Sequence, residues 1–135
     1  MILIYSNKFL EHSKSGHPEN KNRLIAIKCL LDKYNYTTIE PKDVEDIEEK
    51  IKKVHSEAYV ELIKNIKSDT MLDPDTYVVK TSYDVAVNAV EASINAAEYA
   101  VNKKNSFAFV RPPGHHTCFF FQAEDGIRDR DVTGV

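Results

Sequence analysis

The segment with the clearest chemical capability is residues 111–116, Arg-Pro-Pro-Gly-His-His. It follows an apolar run, residues 107–110, that predicts a short buried strand. The two prolines and the glycine end regular structure and favour a tight loop. That loop would present His115 and His116 at the end of a strand, where open α/β sheets usually place their chemistry. Because the ordinary pKa of histidine lies near physiological pH, the pair indicates proton transfer or metal chemistry.

The strands and helices that position this loop are indicated by short apolar runs, which alternate with helical patterns along the chain. Residues 2–5 and 36–39 predict two further strands. A proline at the first helical position predicts a helix that starts around Gly16 and Pro18 and continues to about Lys33. Its apolar stripe is formed by Leu24, Ile27, Leu30 and Leu31.

Capping residues predict three more helices. Asp43 can cap the first and Ser56 the second, while Thr81 begins the longest, with Asp84 completing a capping box. The apolar faces of the first two comprise Val44, Ile47, Ile51 and Val54, and then Tyr59, Leu62, Ile63 and Ile66. The stripe expected to be buried along the longest helix comprises Ala86, Ala89, Val90, Ser93, Ile94, Ala97 and Val101. The alternation predicts an α/β fold with a largely parallel sheet.

Length and composition describe at most one domain of an ordinary globular chain, with 135 residues, 29% charged and 42% hydrophobic. A net charge of -3 without a basic stripe argues against direct nucleic-acid binding. No apolar run approaches the ~20 residues of a membrane span, and the N-terminus lacks a secretory pattern. The two cysteines, Cys29 and Cys118, are far apart in the sequence and lack metal-ligand spacing, which is typical of proteins in a reducing compartment. We therefore expect a cytoplasmic protein with no membrane partner.

Four segments in order resemble the signature of the histone deacetylase superfamily, in the form typical of class II and prokaryotic members. They are residues 17–24, 54–59, 72–77 and 111–116. Acetylpolyamine amidohydrolases and acetoin-utilisation proteins belong to that group. The resemblance implies an arginase/deacetylase-type open α/β sandwich, truncated here, with a mostly parallel sheet flanked by helices. It also implies hydrolysis of an N-acetyl amide, from acetylated protein lysine or a small acetylated amine, to an amine and acetate.

The resemblance further implies roles for single residues. His115 and His116 would be the catalytic histidines beside a zinc-bound water, and which of them is the working base stays open. Asp75 matches the acidic-loop carboxylate that binds substrate backbone, or it is simply a turn aspartate. Arg23 matches an arginine of the acetate channel, or it is an exposed helix charge. Arg111 would support the loop by binding carboxylates or carbonyls.

Zinc ligands are expected outside this chain. The family's ligands are an Asp-x-His pair and a further Asp, all downstream of the paired histidines, and no Asp-x-His occurs in the 135 residues. We therefore assign no metal residues here and expect zinc only in the complete parent protein. His17 and Glu19 would support the loop wall, whereas His12 and His55 are expected to be structural.

Composition changes near the end of the chain. All 14 lysines and all nine asparagines fall within residues 1–117, and residues 119–135 resemble a translated sequencing adapter. We expect residues 1–117 to be the N-terminal part of a deacetylase domain, 118–135 to be a non-native tail, and the chain to be inactive as written. The alternative is a non-catalytic domain that binds an acetylated ligand or a partner.

Overall fold

The computed structural model describes residues 1–113, which contain a parallel sheet and a separate β-hairpin. The strands are β1 (Ile2–Ile4), β2 (Thr37–Ile39), β3 (Thr70–Asp73), β4 (Thr76–Val78) and β5 (Ser106–Ala108). The sheet has the order β2-β1-β5, and both of its pairings are parallel. β3 and β4 form the antiparallel hairpin, which the sequence analysis did not predict. The predicted α/β class with a parallel sheet is confirmed.

Helices connect the strands of residues 1–113. They are α1 (Lys21–Leu31), α2 (Ile47–Ile51), α3 (Glu57–Lys64) and α4 (Ser82–Val101), together with the 3-10 helix Asn7–Leu10. The longest, α4, packs mainly against β5, and the Ser106 hydroxyl donates to the Ala96 carbonyl at 2.7 Å. No helix among these residues is long and apolar enough to cross a bilayer.

The predicted start of α1 at Gly16 and Pro18 is wrong. Gly16 has a φ of +78° and lies in a turn, where the absence of a side chain makes this conformation accessible. The cap is Asn20, whose side chain accepts from the Asn22 N–H at 2.9 Å and donates to the His17 carbonyl at 2.7 Å. The helix therefore begins only at Lys21, because the residues before it are held in a capping turn.

The predicted caps of the other helices have mixed outcomes. Ser56 caps α3 as expected, accepting from the Tyr59 N–H at 3.2 Å. Thr81 is at the cap position of α4, but its hydroxyl donates to the Glu11 carbonyl at 3.3 Å and makes no cap bond. The prediction for Asp43 is wrong, since α2 follows Asp46 instead.

Residues around Asp43 are held by α4 rather than by a helix of their own. The backbone N–H of Lys42 donates to Asn95 at 2.7 Å, and that of Val44 donates to Glu91 at 3.3 Å. Both acceptors are buried polar side chains of α4. These bonds hold the backbone on both sides of Asp43 against α4, and α2 begins only after Asp46, which has a φ of +54°.

The face of α4 that is buried differs from the predicted stripe. Val85 and Ala92 are fully buried in the core with Leu3, Ile4 and Phe9. In the predicted stripe, Ser93, Ala97 and Val101 are exposed, Ala86, Val90 and Ile94 are half-buried, and Ala89 is buried. The half-buried residues border an open apolar groove of about 470 Å³ between α3 and α4. Apolar residues surround much of this helix, so periodicity alone did not identify which half packs on the sheet.

Other predicted apolar faces are also only partly covered in residues 1–113. Leu24 of α1 is buried, but Ile27 and Leu30 are about half exposed; Val54 and Leu62 are exposed as well. The strand predicted before the histidine loop begins one residue earlier, and its Phe107 is half exposed rather than buried. These faces have no covering element within the described part of the chain.

Candidate active site

β5 places Arg111 and the two prolines after it, the described start of the predicted loop, at the carboxyl edge of the sheet. Directly after the strand, the Phe109 N–H donates to the Ile4 carbonyl at 2.9 Å. The buried Phe109 ring stacks on Tyr5, which follows β1, with ring centroids 5.8 Å apart. Because β1 and β5 are parallel, Tyr5 and Arg111 leave the sheet at the same edge. The backbone up to Phe109 is thus fixed before the proline segment begins.

Arg111, the first residue of that segment, is buried and fully paired. Its Nε donates to Glu19 Oε1 at 2.8 Å, and its Nη2 donates to Glu19 Oε2 at 2.7 Å. Its Nη1 donates to the carbonyls of Phe9 and His12 at 3.0 and 2.7 Å, and Nη2 also reaches the Tyr77 hydroxyl at 3.3 Å. A guanidinium has five N–H donors, and each has a partner here. Arg111 is therefore held to three other segments of the chain.

The electrostatics of this cluster favour the ionised pair. Burial alone would raise the pKa of Glu19, but the hydrogen bonds and charge of Arg111 outweigh it and lower that pKa. Burial likewise opposes the charge of Arg111, yet contact with Glu19 raises the pKa of the guanidinium. Burial, together with the charge of Glu19, raises the pKa of Tyr77, so its phenol stays protonated and can donate.

His12 is a neutral, packed member of the same cluster. Its Nδ1 lies 2.7 Å from the Ser82 hydroxyl, and its ring stacks on Tyr77 with centroids 4.5 Å apart. Burial and then the charge of Arg111 lower the pKa of His12 to about 4. The Ser82 oxygen already accepts from the Val79 N–H, so its own hydrogen is available to the unprotonated Nδ1. This packing agrees with the structural role expected for His12.

His17 joins the same segment of chain to the tip of the hairpin. Its Nδ1 accepts from the Glu19 N–H at 3.1 Å, and its Nε2 donates to the Asp75 carbonyl at 3.0 Å. Its ring meets Tyr77 edge-on, with centroids 4.8 Å apart. The Asp75 N–H donates to Asp73 Oδ1 at 2.8 Å, while the Asp75 residue itself is exposed. Asp75 thus lies in a tight turn, with its backbone held and its carboxylate toward solvent.

Arg23 is exposed on the first turn of α1. It lines an open groove of about 590 Å³ together with Glu19, Asp75, Arg111 and Pro113. The structure therefore brings the two arginines and the aspartate assigned from the sequence to the border of one groove. Arg111 faces it from a buried position, whereas Arg23 reaches it from the surface.

The two assigned histidines, His115 and His116, lie outside the described residues. Pro113 is the last residue described, two positions before His115. Within residues 1–113, no three side chains of His, Cys, Asp and Glu are grouped closely enough to hold a metal ion. That part of the chain, taken alone, does not fit a zinc site.

A parallel sheet whose carboxyl edge carries the buried, hydrogen-bonded Arg111 defines an α/β domain with its candidate site at the strand ends. The model of the Histone deacetylase domain matches residues 17–120, which include the His-Pro-Glu segment, the hairpin, α4 and the histidine loop. The chain belongs to the histone deacetylase family.

Individual relatives agree with this assignment. The chain is similar to a protein named "Probable deacetylase" from Archaeoglobus fulgidus, with 31% identity over 126 residues, covering 84% of this chain and 34% of the relative. A protein of the same name from Methanothermobacter thermautotrophicus is 32% identical over 125 residues, covering 88% and 37%. The solved HDA15 HD domain superposes with a TM-score of 0.72 at 26% identity, covering 86% of this chain and 37% of that one. The chain thus spans about a third of the length of these relatives.

The sequence analysis did not pair Glu19 with Arg111, although it named both residues. The opposite charges of the two residues were the available signal, but residues 17–24 also contain Lys21 and Arg23, so the sequence did not single out this pair. Tyr77 was also missed as their shared partner, because the hairpin that presents it was interpreted only as an acidic loop. Both contacts join residues far apart in sequence, 92 positions in the case of the ion pair.

Proposed function

We propose that this chain is the N-terminal part of a zinc-dependent deacetylase that hydrolyses N-acetyl amides to an amine and acetate. Family membership and the similarity to two proteins named probable deacetylases support the reaction class. The observation that carries the proposal is the fully paired Arg111 at the carboxyl edge of the sheet. It anchors the start of the loop that continues into His115 and His116, so the loop begins from a fixed point.

The paired histidines are proposed to carry the proton transfers. Hydrolysis of an amide needs a base that takes a proton from the attacking water and an acid that protonates the departing amine. His115 and His116 are adjacent in the chain and could divide these roles. The family's Asp-x-His ligand pattern does not occur in the 135 residues, so we propose that the zinc ligands come from parts of the complete protein that are not in this chain.

Asp75 and Arg23 are proposed to act at the two ends of the substrate path. The exposed carboxylate of Asp75, at the tip of the hairpin, suits hydrogen bonding to the backbone of an acetyl-lysine substrate or to the amines of an acetylpolyamine. Arg23 borders the groove that Arg111 also lines, which suits attraction of the acetate product. We further propose a cytoplasmic location, on the basis of the isolated cysteines in the sequence.

The complete protein provides the first test. Its turnover is measured on an acetyl-lysine peptide and on an acetylated polyamine, with zinc content determined in parallel. Release of acetate from either substrate, lost on zinc removal and restored by zinc, supports the proposal. Binding of the acetylated peptide with no turnover would favour a non-catalytic domain instead.

The chain as written provides the second test, because we propose that it is inactive. A catalytic zinc normally takes three protein ligands and leaves one position for water, and the family's ligand pattern does not occur in the 135 residues. Equilibrium dialysis against zinc, with an acetyl-lysine assay at matched protein concentration, should show neither tight binding nor turnover. One equivalent of tightly held zinc with turnover above background would refute this part.

A further inference from the structure

The His-Pro-Glu segment, residues 17–19, contacts both regions to which the proposed function assigns chemistry. Through its carboxylate, Glu19 binds Arg111 at the start of the histidine loop, with two bonds of 2.8 and 2.7 Å. Through Nε2, His17 binds the Asp75 carbonyl in the hairpin turn at 3.0 Å. Only Pro18 separates the two residues. The segment thus forms a bridge between two places that are 36 residues apart in the chain, Asp75 and Arg111.

Within the bridge, one hydrogen bond from the Glu19 backbone fixes the orientation of the His17 ring. The Glu19 N–H donates to His17 Nδ1 at 3.1 Å, which leaves Nε2 as the donor toward Asp75. The hydroxyl of Tyr77, from the strand that follows the turn, donates to the Glu19 carbonyl at 3.1 Å. His17 therefore has one accepting and one donating nitrogen, each with a partner, and the turn is held at two points.

We propose that residues 17–19 are a positioning segment with two separable tasks, an inference that rests on the proposed deacetylase function. Glu19, acting through Arg111, sets the position of the loop that carries the catalytic histidines. His17, acting through the Asp75 backbone, sets the position of the carboxylate that binds substrate at the rim. Neither residue is assigned contact with the reacting atoms.

Separate tasks predict separate kinetic effects in the complete enzyme. Displacement of a catalytic group by about 1 Å costs on the order of 10²-fold in rate, so Glu19→Gln should lower kcat by about that factor. Its KM should change by less than about threefold. Asp75 binds substrate equally in ground and transition states in this scheme, so His17→Phe should raise KM by about tenfold while kcat is largely kept.

Conservative variants and a control distinguish positioning from general loss of structure. His17→Gln retains a donor near the Nε2 position, so its KM should stay close to that of the unchanged protein rather than rise as in His17→Phe. Arg111→Lys keeps the positive charge but loses the planar guanidinium that binds the Glu19 carboxylate with two hydrogen bonds. It should therefore lower kcat as Glu19→Gln does, and it provides a second measurement if Glu19→Gln folds poorly. Glu11→Gln removes an exposed carboxylate and should leave both constants unchanged. If both bridge variants lower kcat and raise KM together, in proportion to a lower Tm, the two-task proposal is wrong.

A nuclear magnetic resonance experiment on the 135-residue chain separates failure of this inference from failure of the proposed function. Glu19→Gln should shift the Arg111 Nε–H resonance and leave the Asp75 amide in place, and His17→Phe should do the reverse. This pattern supports the bridge even if the complete protein has no turnover on acetylated substrates. If each variant shifts both resonances equally, the tasks are not separable, whatever the enzyme assay shows.

Discussion

Replacing Glu19 with glutamine tests the buried ion pair most directly. The change keeps the size of the side chain and removes its charge. Glutamine can offer one acceptor to the guanidinium of Arg111, but its amide group then directs N–H donors at a guanidinium N–H. The side chain of Arg111 is only 6% exposed and that of Glu19 16%, so water can replace the lost acceptor only in part.

The size of the effect follows from what Arg111 retains. Its bonds to the Phe9 and His12 carbonyls survive, while one charge-assisted bond is lost, worth about 1.5–3 kcal/mol. Removing one partner of a buried ion pair costs about 3–5 kcal/mol in general. Because the two carbonyls remain and Glu19 is partly solvated, we expect a loss of about 3 kcal/mol in the free energy of unfolding.

Urea unfolding of the 135-residue chain, followed by circular dichroism, measures this loss. With a slope of about 2 kcal/mol per molar urea for a chain of this size, the midpoint should fall by about 1.5 M. Glu11→Gln, an exposed carboxylate changed in the same way, should shift the midpoint by far less. A loss below about 1 kcal/mol for Glu19→Gln would show that Arg111 does not depend on this carboxylate and would refute the reasoning.

Three further predictions concern acid stability, the loop and the end of the chain. Between pH 6.5 and 4, His12 is protonated in the unfolded chain but not in the folded protein, so the free energy of unfolding should fall by about 3 kcal/mol as the pH drops through this window. Urea unfolding measured at several pH values should show a weaker pH dependence for His12→Asn than for the unchanged chain. If the two pH dependences are the same, the effect comes from other groups. Under the proposed deacetylase function, His116→Ala in the complete protein should lower turnover by about 10²-fold or more with zinc content retained, and loss of zinc would make this residue a ligand. Limited proteolysis should remove residues 118–135 before α4 is cut, and equal resistance of the two segments would contradict a non-native tail.

Local sequence patterns predicted the elements that depend on local chemistry. The apolar runs near residues 2–5 and 36–39 became β1 and β2, because short β-branched and aromatic stretches have few alternatives in an α/β chain. Ser56 capped α3 as expected, since a cap bond joins residues only three positions apart. The family resemblance added the fold type and the order of the motifs.

Features that depend on distant partners were not predicted. The chain on either side of Asp43, which was predicted to cap a helix, is bonded instead to Asn95 and Glu91, about fifty residues downstream. The buried face of α4 was misassigned because packing against β5, rather than periodicity, selects it. The Arg111–Glu19 pair belongs to the same class, since nothing local at residue 19 indicates a partner near residue 111. The sequence therefore identified single residues of the candidate site but did not predict the hydrogen bonds between them.

The position of β1 in the sheet has a consequence for synthesis on the ribosome. β1 is synthesised before the other two strands of the described sheet, yet it lies between them and pairs with β5, which begins at Ser106. At about 5–20 residues per second, roughly 5–20 s separate the synthesis of these two strands. During that interval one edge of an apolar strand is without its partner and open to wrong pairing, and Arg111 does not yet exist to bind Glu19. The speed of translation between residues 5 and 105 thus sets how long β1 is exposed before β5 can pair with it.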